Sequence, residues 1–336
     1  MIRGAKAAAS QLAAAEAAEA TLAGGAGAVD AIIAGFFGAA GADPGVLLAP
    51  AVAIVAGFGA GGRAFDGRAA QPGRGAPRPR GFVDDASIPP GARVAAPRTI
   101  GMLALLHSYR GRSTFASLSR PGVVAAENAG SKPRAALIRK VGSAGVLSLR
   151  APDVARALLA AGGAVAGGTL TEADLEENAP AEMDAASASI AEGMTAYTSP
   201  FSSTEEGRGD AEVVVAVDAR GVIAALAYMP ARDGVVLPDL GITVGRDAVP
   251  VRRGVTRVAP GTVLPMPVPV GIAVQSGSFA AAVGFPGRTT LEAAALAELV
   301  KGGAVAAALA ELRERLGGHS AIAVVTDGKA ARSATA

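Results

Sequence analysis

A chain of 336 residues with no cysteine and only two histidines has few routes to covalent chemistry. Thiol nucleophiles, disulfides and thiolate metal sites are excluded. His107 and His319 stand far apart in the chain, which argues against an imidazole metal site; no metal and no cofactor is expected. What remains are hydroxyls, carboxylates and guanidinium groups. Ser202, Ser203 and Thr204 open the polar stretch STEEGRGD, but no histidine lies near them in sequence to act as base. Arg68 follows Phe65, Asp66 and Gly67, and its guanidinium fork is a natural bidentate partner for a carboxylate. By itself it also reads as a strand-end arginine paired with a nearby acid. No Gly-x-Ser-x-Gly elbow is present. The run GFGAGG (Gly57–Gly62) is only a loose dinucleotide-loop match, without the acidic residue about twenty positions on that would contact a ribose.

These groups need elements to position them. Gly209 to Met229 reads as two strands, Glu212–Val217 and Val222–Ala227, around a tight turn at Asp218–Gly221. The first strand is apolar throughout, as a strand covered on both faces should be. Helices are expected over Ala5–Leu22, stopped by Gly24-Gly25, and over Val29–Ala40, Thr99–Arg110, Lys132–Gly145, Ala151–Ala161, Leu291–Val300 and Ala304–Leu316. Thr171 with Asp174 forms a variant capping box. Strands are expected within the apolar region from Gly45 that leads to the glycine turns, then in a strand carrying Phe65 and Arg68, over Gly271–Gln275 and Phe279–Val283, and over Ser320–Thr326, with His319 in the preceding turn. Gly73–Arg98 is an Arg-, Pro- and Gly-rich loop, and Gly241–Arg253 is irregular.

Several of these stretches resemble signatures of the gamma-glutamyltransferase family. Gly24 to Ala31 (GGAGAVDA) is similar to its Gly-Gly-Asn-Ala-Val-Asp-Ala helix junction, and Asp66 to Pro72 (DGRAAQP) to its Asp-Gly-Arg-Glu-x-Ala-Pro strand. Gly168 to Leu175 is similar to its Gly-x-Leu-x-x-x-Asp-Leu, and Ser199-Pro200-Phe201-Ser202-Ser203 to its Pro-Pro-Pro-Ser-Ser-Gly. The hairpin with Val217-Asp218-Ala219-Arg220-Gly221 resembles the one that opens the family's small subunit. Gly284-Phe285-Pro286-Gly287-Arg288 stands where the family has its Gly-Ser-Pro-Gly-Gly turn.

The resemblance implies an α+β fold, a four-layer αββα sandwich of two stacked, mainly antiparallel sheets of the N-terminal nucleophile hydrolase type. It implies one such domain over residues 1–336, with a large-subunit-like part through Asp210 and a small-subunit-like part from Ala211. It also implies amide hydrolysis or acyl transfer on a small carboxylate-bearing substrate. Arg68 would grip that carboxylate, Asp247 is the nearest counterpart of the acids that hold the substrate amine, and Gly287 with Arg288 would form the oxyanion turn. The family nucleophile is a threonine that self-cleavage frees, and the frame counted back from Asp218 places residue 211 there. Ala211 can neither attack nor deprotonate, so the Asp210–Ala211 bond would stay uncut. Ala227, Met266-Pro267 and Arg288 replace further family residues, which favours natural loss over an introduced change at 211. The alternative to an enzyme is a non-catalytic relative that binds a small carboxylate or serves as a structural subunit.

Composition limits the rest. Apolar residues make up 51%, with 45 glycines and 4% aromatics, so the core is built from small aliphatic residues. A net charge of +2 gives no field that would favour nucleic acid or an anionic membrane. Glu16 and Glu19 interrupt any signal-peptide apolar run, and prolines and glycines break the uncharged Pro44–Gly62 stretch, so a cytoplasmic protein outside the membrane is expected. Composition leaves a homo-oligomer open.

Overall fold

A computed structural model describes residues 4–57, 60–77, 80–201, 211–275, 279–286, 296, 305–316, 321–326 and 330–336. In chain order the N-terminal part holds β1 (Lys6–Ala9), α1 (Leu12–Ala23), α2 (Ala28–Ala42), β2 (Ala51–Gly57) and β3 (Ala60–Gly67). Five helices follow: α3 (Thr99–Arg110), α4 (Phe115–Asn128), α5 (Lys132–Ala144), α6 (Pro152–Gly162) and α7 (Glu172–Glu176). Then come β4 (Ala181–Asp184), β5 (Ala186–Ala191), β6 (Met194–Thr198), β7 (Glu212–Val217) and β8 (Val222–Tyr228). The chain continues through β9 (Val235–Leu237), β10 (Ile242–Val244), β11 (Val270–Gln275), β12 (Phe279–Gly284), α8 (Val305–Leu316), β13 (Ile322–Thr326) and β14 (Ala331–Thr335).

The strands form two six-stranded sheets, β1-β7-β8-β2-β3-β4 and β14-β13-β12-β11-β6-β5, with antiparallel neighbours throughout. Alternation along β7 explains the stacking. Val213, Val215 and Val217 meet Ile272, Ala282 and Val324 of the second sheet, while Val214 and Ala216 face Ile32 and Phe36 in the helical layer. The outer face of the second sheet carries Ala273, Val283 and Val325 against Leu309 of α8. Helices, sheet, sheet and helix make the four layers, and the expected αββα sandwich is what the chain forms. Strands from before and after residue 210 share both six-stranded sheets, while β9 and β10 pair by themselves as a two-stranded sheet.

Small residues let the helices meet backbone to backbone. A Cβ on Gly41 would collide with the Gly122 carbonyl, and one on Gly122 with the Phe37 carbonyl. This is where α2, buried from Ala28 to Gly41, passes α4. No helix among the described residues is long and apolar enough to cross a membrane; the uncharged run after Pro44 supplies β2.

Asp218 ties the hairpin to this layer, and Asp30 ties α2 to the segment after α3. The Asp218 carboxylate accepts the N–H groups of Arg220 at 2.8 Å and Val222 at 3.0 Å, closing the β7–β8 turn, where Gly221 has φ 80°. Its other oxygen accepts the Ala28 N–H at 3.3 Å, at the start of α2. Fully buried Asp30 accepts main-chain N–H groups from Gly27, Arg112 and Ser113. Both lie at the end of β7 opposite to residue 211 and are structural.

The expected elements differ from the structure in places. The helix expected from Ala5 begins only at Leu12, because Lys6–Ala9 pairs with Val214–Val217. Alanine suits either state, and a central strand with an open edge gains more from a partner than four residues gain from lengthening a helix. β4, β5, α4 and β14 had no counterpart in the expectations, and β10 lies within the stretch read as irregular. Most of the expected Leu291–Val300 helix and His319 lie outside the described residues; Leu296 is helical and buried. Asp218→Ala removes three buried main-chain hydrogen bonds and is expected to cost on the order of 3 kcal/mol. Urea unfolding checks this: the midpoint should fall with the slope unchanged.

Candidate active site

Register decides which residues share an end of the first sheet. Glu212 pairs with Tyr228, Tyr228 with Ala51, and Ala51 with Gly67. One residue further, Ala211, Met229, Pro50 and Arg68 therefore form the rim of one end, with the Met229 N–H donating to Pro50 O at 3.0 Å. Three strand spacings separate Ala211 from Arg68, about 14 Å. The second sheet ends here too: a Cβ on Gly284, the last residue of β12, would run into the Val213 side chain. Phe285 and Pro286 follow. Gly287 and Arg288, expected to form an oxyanion turn, and Asp210, expected to precede the cleavage point, lie outside the described residues, as do Ser202, Ser203 and Thr204.

Ala211 is buried, 1% exposed. Its neighbour in chemistry is Ser10, whose hydroxyl accepts the Val213 N–H at 2.9 Å and donates to Val213 O at 3.3 Å. That hydroxyl is consumed in holding the start of β7. Ala227 and Met266 are buried in the apolar space between the sheets. Packing claims these positions in this chain.

Arg68 is held from behind. Asp66 accepts its Nε at 3.0 Å and Nη2 at 3.2 Å, so the strand-end arginine does pair with a nearby acid. Nη1 donates to Phe201 O at 2.9 Å, and the guanidinium lies over the Phe201 ring. Phe201 follows β6 in the second sheet, so Arg68 links the two sheet ends. Of five N–H hydrogens, three are used among the described residues and two are left for an incoming anion. Arg98, which sequence reasoning missed, is 5% exposed and sends Nη1 to Asp66 at 3.4 Å. Burial lowers its pKa, with the Asp66 charge working against that shift. Its signal was faint: one arginine at the end of a loop already rich in arginine.

Asp247 stands two residues before Val249, which is tied to Gln71. The buried Gln71 side chain donates to Val249 O and accepts the Val249 N–H, both at 2.9 Å. The segment after Arg68 is itself bonded to Thr262 and Leu264. Asp247 thus sits in a loop tied three residues along from Arg68. Half-buried and with no hydrogen bond or ion pair among the described residues, its carboxyl is pushed up to about 6 by desolvation. The arrangement offers a cation and a titratable carboxyl on one framework, which suits a ligand bearing carboxylate and amine. Among the described residues no cluster of His, Cys, Asp or Glu could hold a metal ion.

The raised value has a definite sign. Asp247 binds its proton more tightly folded than unfolded, so its ionisation costs stability as pH rises from about 4 through 6. Asp247→Asn is therefore expected to stabilise the fold at pH 7 by on the order of 2 kcal/mol, a gain that vanishes near pH 4. Denaturant midpoints at the two pH values check it.

No protein-family model and no curated protein sequence matches the chain. Solved structures do. A cephalosporin acylase from Bacillus halodurans superposes with a TM-score of 0.73 at 14% identity, over 99% of this chain and 96% of that one. A gamma-glutamyltranspeptidase from Pseudomonas nitroreducens, complexed with L-DON, gives 0.50 at 17% identity, over 60% of this chain and 72% of that one. At such identities the likeness is one of fold: the chain shares the αββα architecture of these neighbours.

Proposed function

We propose that this chain is a gamma-glutamyltransferase-like amide hydrolase or acyltransferase framework for a small carboxylate-bearing substrate. Residue 211 stands at its nucleophile position. The observation that carries the reading is the shared sheet end: Ala211 opens β7 at the rim where Arg68 keeps two donors free. Arg68 takes the substrate carboxylate, and Asp247, ionised above about pH 6, takes an amine on the same molecule. An attacking hydroxyl would come from residue 211, with its own freed α-amine as base. Gly287 and Arg288 would flank the developing oxyanion, an interaction worth about 3 kcal/mol per donor. The methyl of Ala211 supplies none of the attacking chemistry, so the chain with alanine there is unprocessed and has no covalent route.

A second reading, carboxylate binding without catalysis, is favoured by one observation. Positions 227 and 266, where the family resemblance calls for hydroxyls, are buried apolar residues here.

The test is Ala211→Thr, incubated at neutral pH and weighed intact. Two fragments, separated after Asp210, are expected if the cleavage machinery is in place, and acyl-amide substrates can then be screened. A folded chain that stays whole would overturn the enzymatic reading and leave the binding one.

A further inference from the structure

We propose that Arg98 is a positioning residue for Arg68, and that its charge is what leaves Arg68 able to hold an anion. The proposal rests on the reading in which Arg68 receives a substrate carboxylate.

Arg98 precedes α3, and its carbonyl accepts the Met102 N–H, so its main chain is fixed at a helix start. From there the side chain reaches three acceptors. Nε and Nη2 both donate to Ala179 O, at 3.0 and 2.7 Å. Nη1 donates to Arg68 O at 3.2 Å and to Asp66 Oδ2 at 3.4 Å. Arg98 thereby braces the end of β3, the approach to β4 and the carboxylate that grips Arg68.

Asp66 is 3% exposed and lies between two arginines. Paired with Arg68 alone, it would form a closed neutral couple with little reason to recruit an anion. Arg98 adds a second cation to the one carboxylate, which leaves the buried trio with a surplus of one positive charge. Arg98 has already turned its donors to Ala179, Arg68 and Asp66. Among the described residues, the two N–H groups that Arg68 keeps free are where the surplus can meet an anion. Burial strengthens that demand, since an unbalanced charge away from water gains most from a charged partner.

The geometry also says why lysine is a partial substitute. One ammonium can restore the charge but cannot span Ala179 O and Asp66 together, as the guanidinium fork does.

The test uses the full chain and its Arg98→Met, Arg98→Lys and Arg68→Met variants. Each is titrated calorimetrically with acetate, succinate and L-glutamate, and with the neutral amides acetamide and succinamide. Wild type is expected to bind a carboxylate, and Arg68→Met to lose it. Arg98→Met should weaken that binding about 10-fold or more, and Arg98→Lys should recover part of it. Affinity for the neutral amides should not move, which separates a charge-positioning role from general damage. Arg98→Met binding carboxylates as tightly as wild type would overturn the inference. If it fails to fold, Arg98→Gln, which keeps an amide donor for Ala179 O, carries the same test. Wild type binding none of the carboxylates would instead sink the reading of Arg68, and this inference with it.

Discussion

The β7–β8 hairpin is covered on both faces, and the rest of the molecule is arranged to keep it so. A strand with no wet face must be apolar at every position, and its main chain must find partners on both sides. The two valine rows of β7 therefore face different cores, one toward α2 and one toward the second sheet. β1 and β2 complete the hydrogen bonding of the pair. Once those ladders are in register, the residues just past Glu212, Tyr228, Ala51 and Gly67 have no freedom in where they lie. The candidate site is the rim that this register creates.

Close packing makes the arrangement compact without large side chains. Aromatics are few, and the density comes from glycines and alanines that let helices approach to backbone contact, as at Gly41 and Gly122. The few aromatic residues gather where a wider gap needs filling: Phe36 meets the Tyr228 ring edge-on at 5.5 Å. Gly284 does the same between the sheets, where any side chain would displace Val213. That contact brings the end of β12 to the start of β7.

Polar groups at this rim divide into those spent on structure and those left over. Ser10 and Gln71 each bond main-chain groups as both donor and acceptor. Arg68 keeps two donors, and Asp247 keeps a carboxyl with no partner among the described residues. Unspent polar capacity near a desolvated surface is what a ligand can exploit, and here it has both signs of charge. Ala227 and Met266 are spent on packing between the sheets.

By itself the sequence determined the hairpin, the helices from Val29, Thr99, Lys132 and Ala151 and the capping box at Thr171. Each rests on signals read within a few residues: apolar runs, caps and turn glycines. It also placed Arg68 beside an acid and Ala211 at the start of a buried strand. Tertiary structure alone decided that Lys6–Ala9 is a strand, since alanine has no strong preference and only the free edge of β7 chose for it. It alone joined Arg98 to Asp66 and Gln71 to Val249, contacts between residues whose separation in sequence carries no local signal. Asp30 and Asp218 show the same limit in reverse. Their motifs were legible, but Asp218 fastening its turn to the start of α2, and Asp30 fastening α2 to Arg112 and Ser113, exist only in the folded chain.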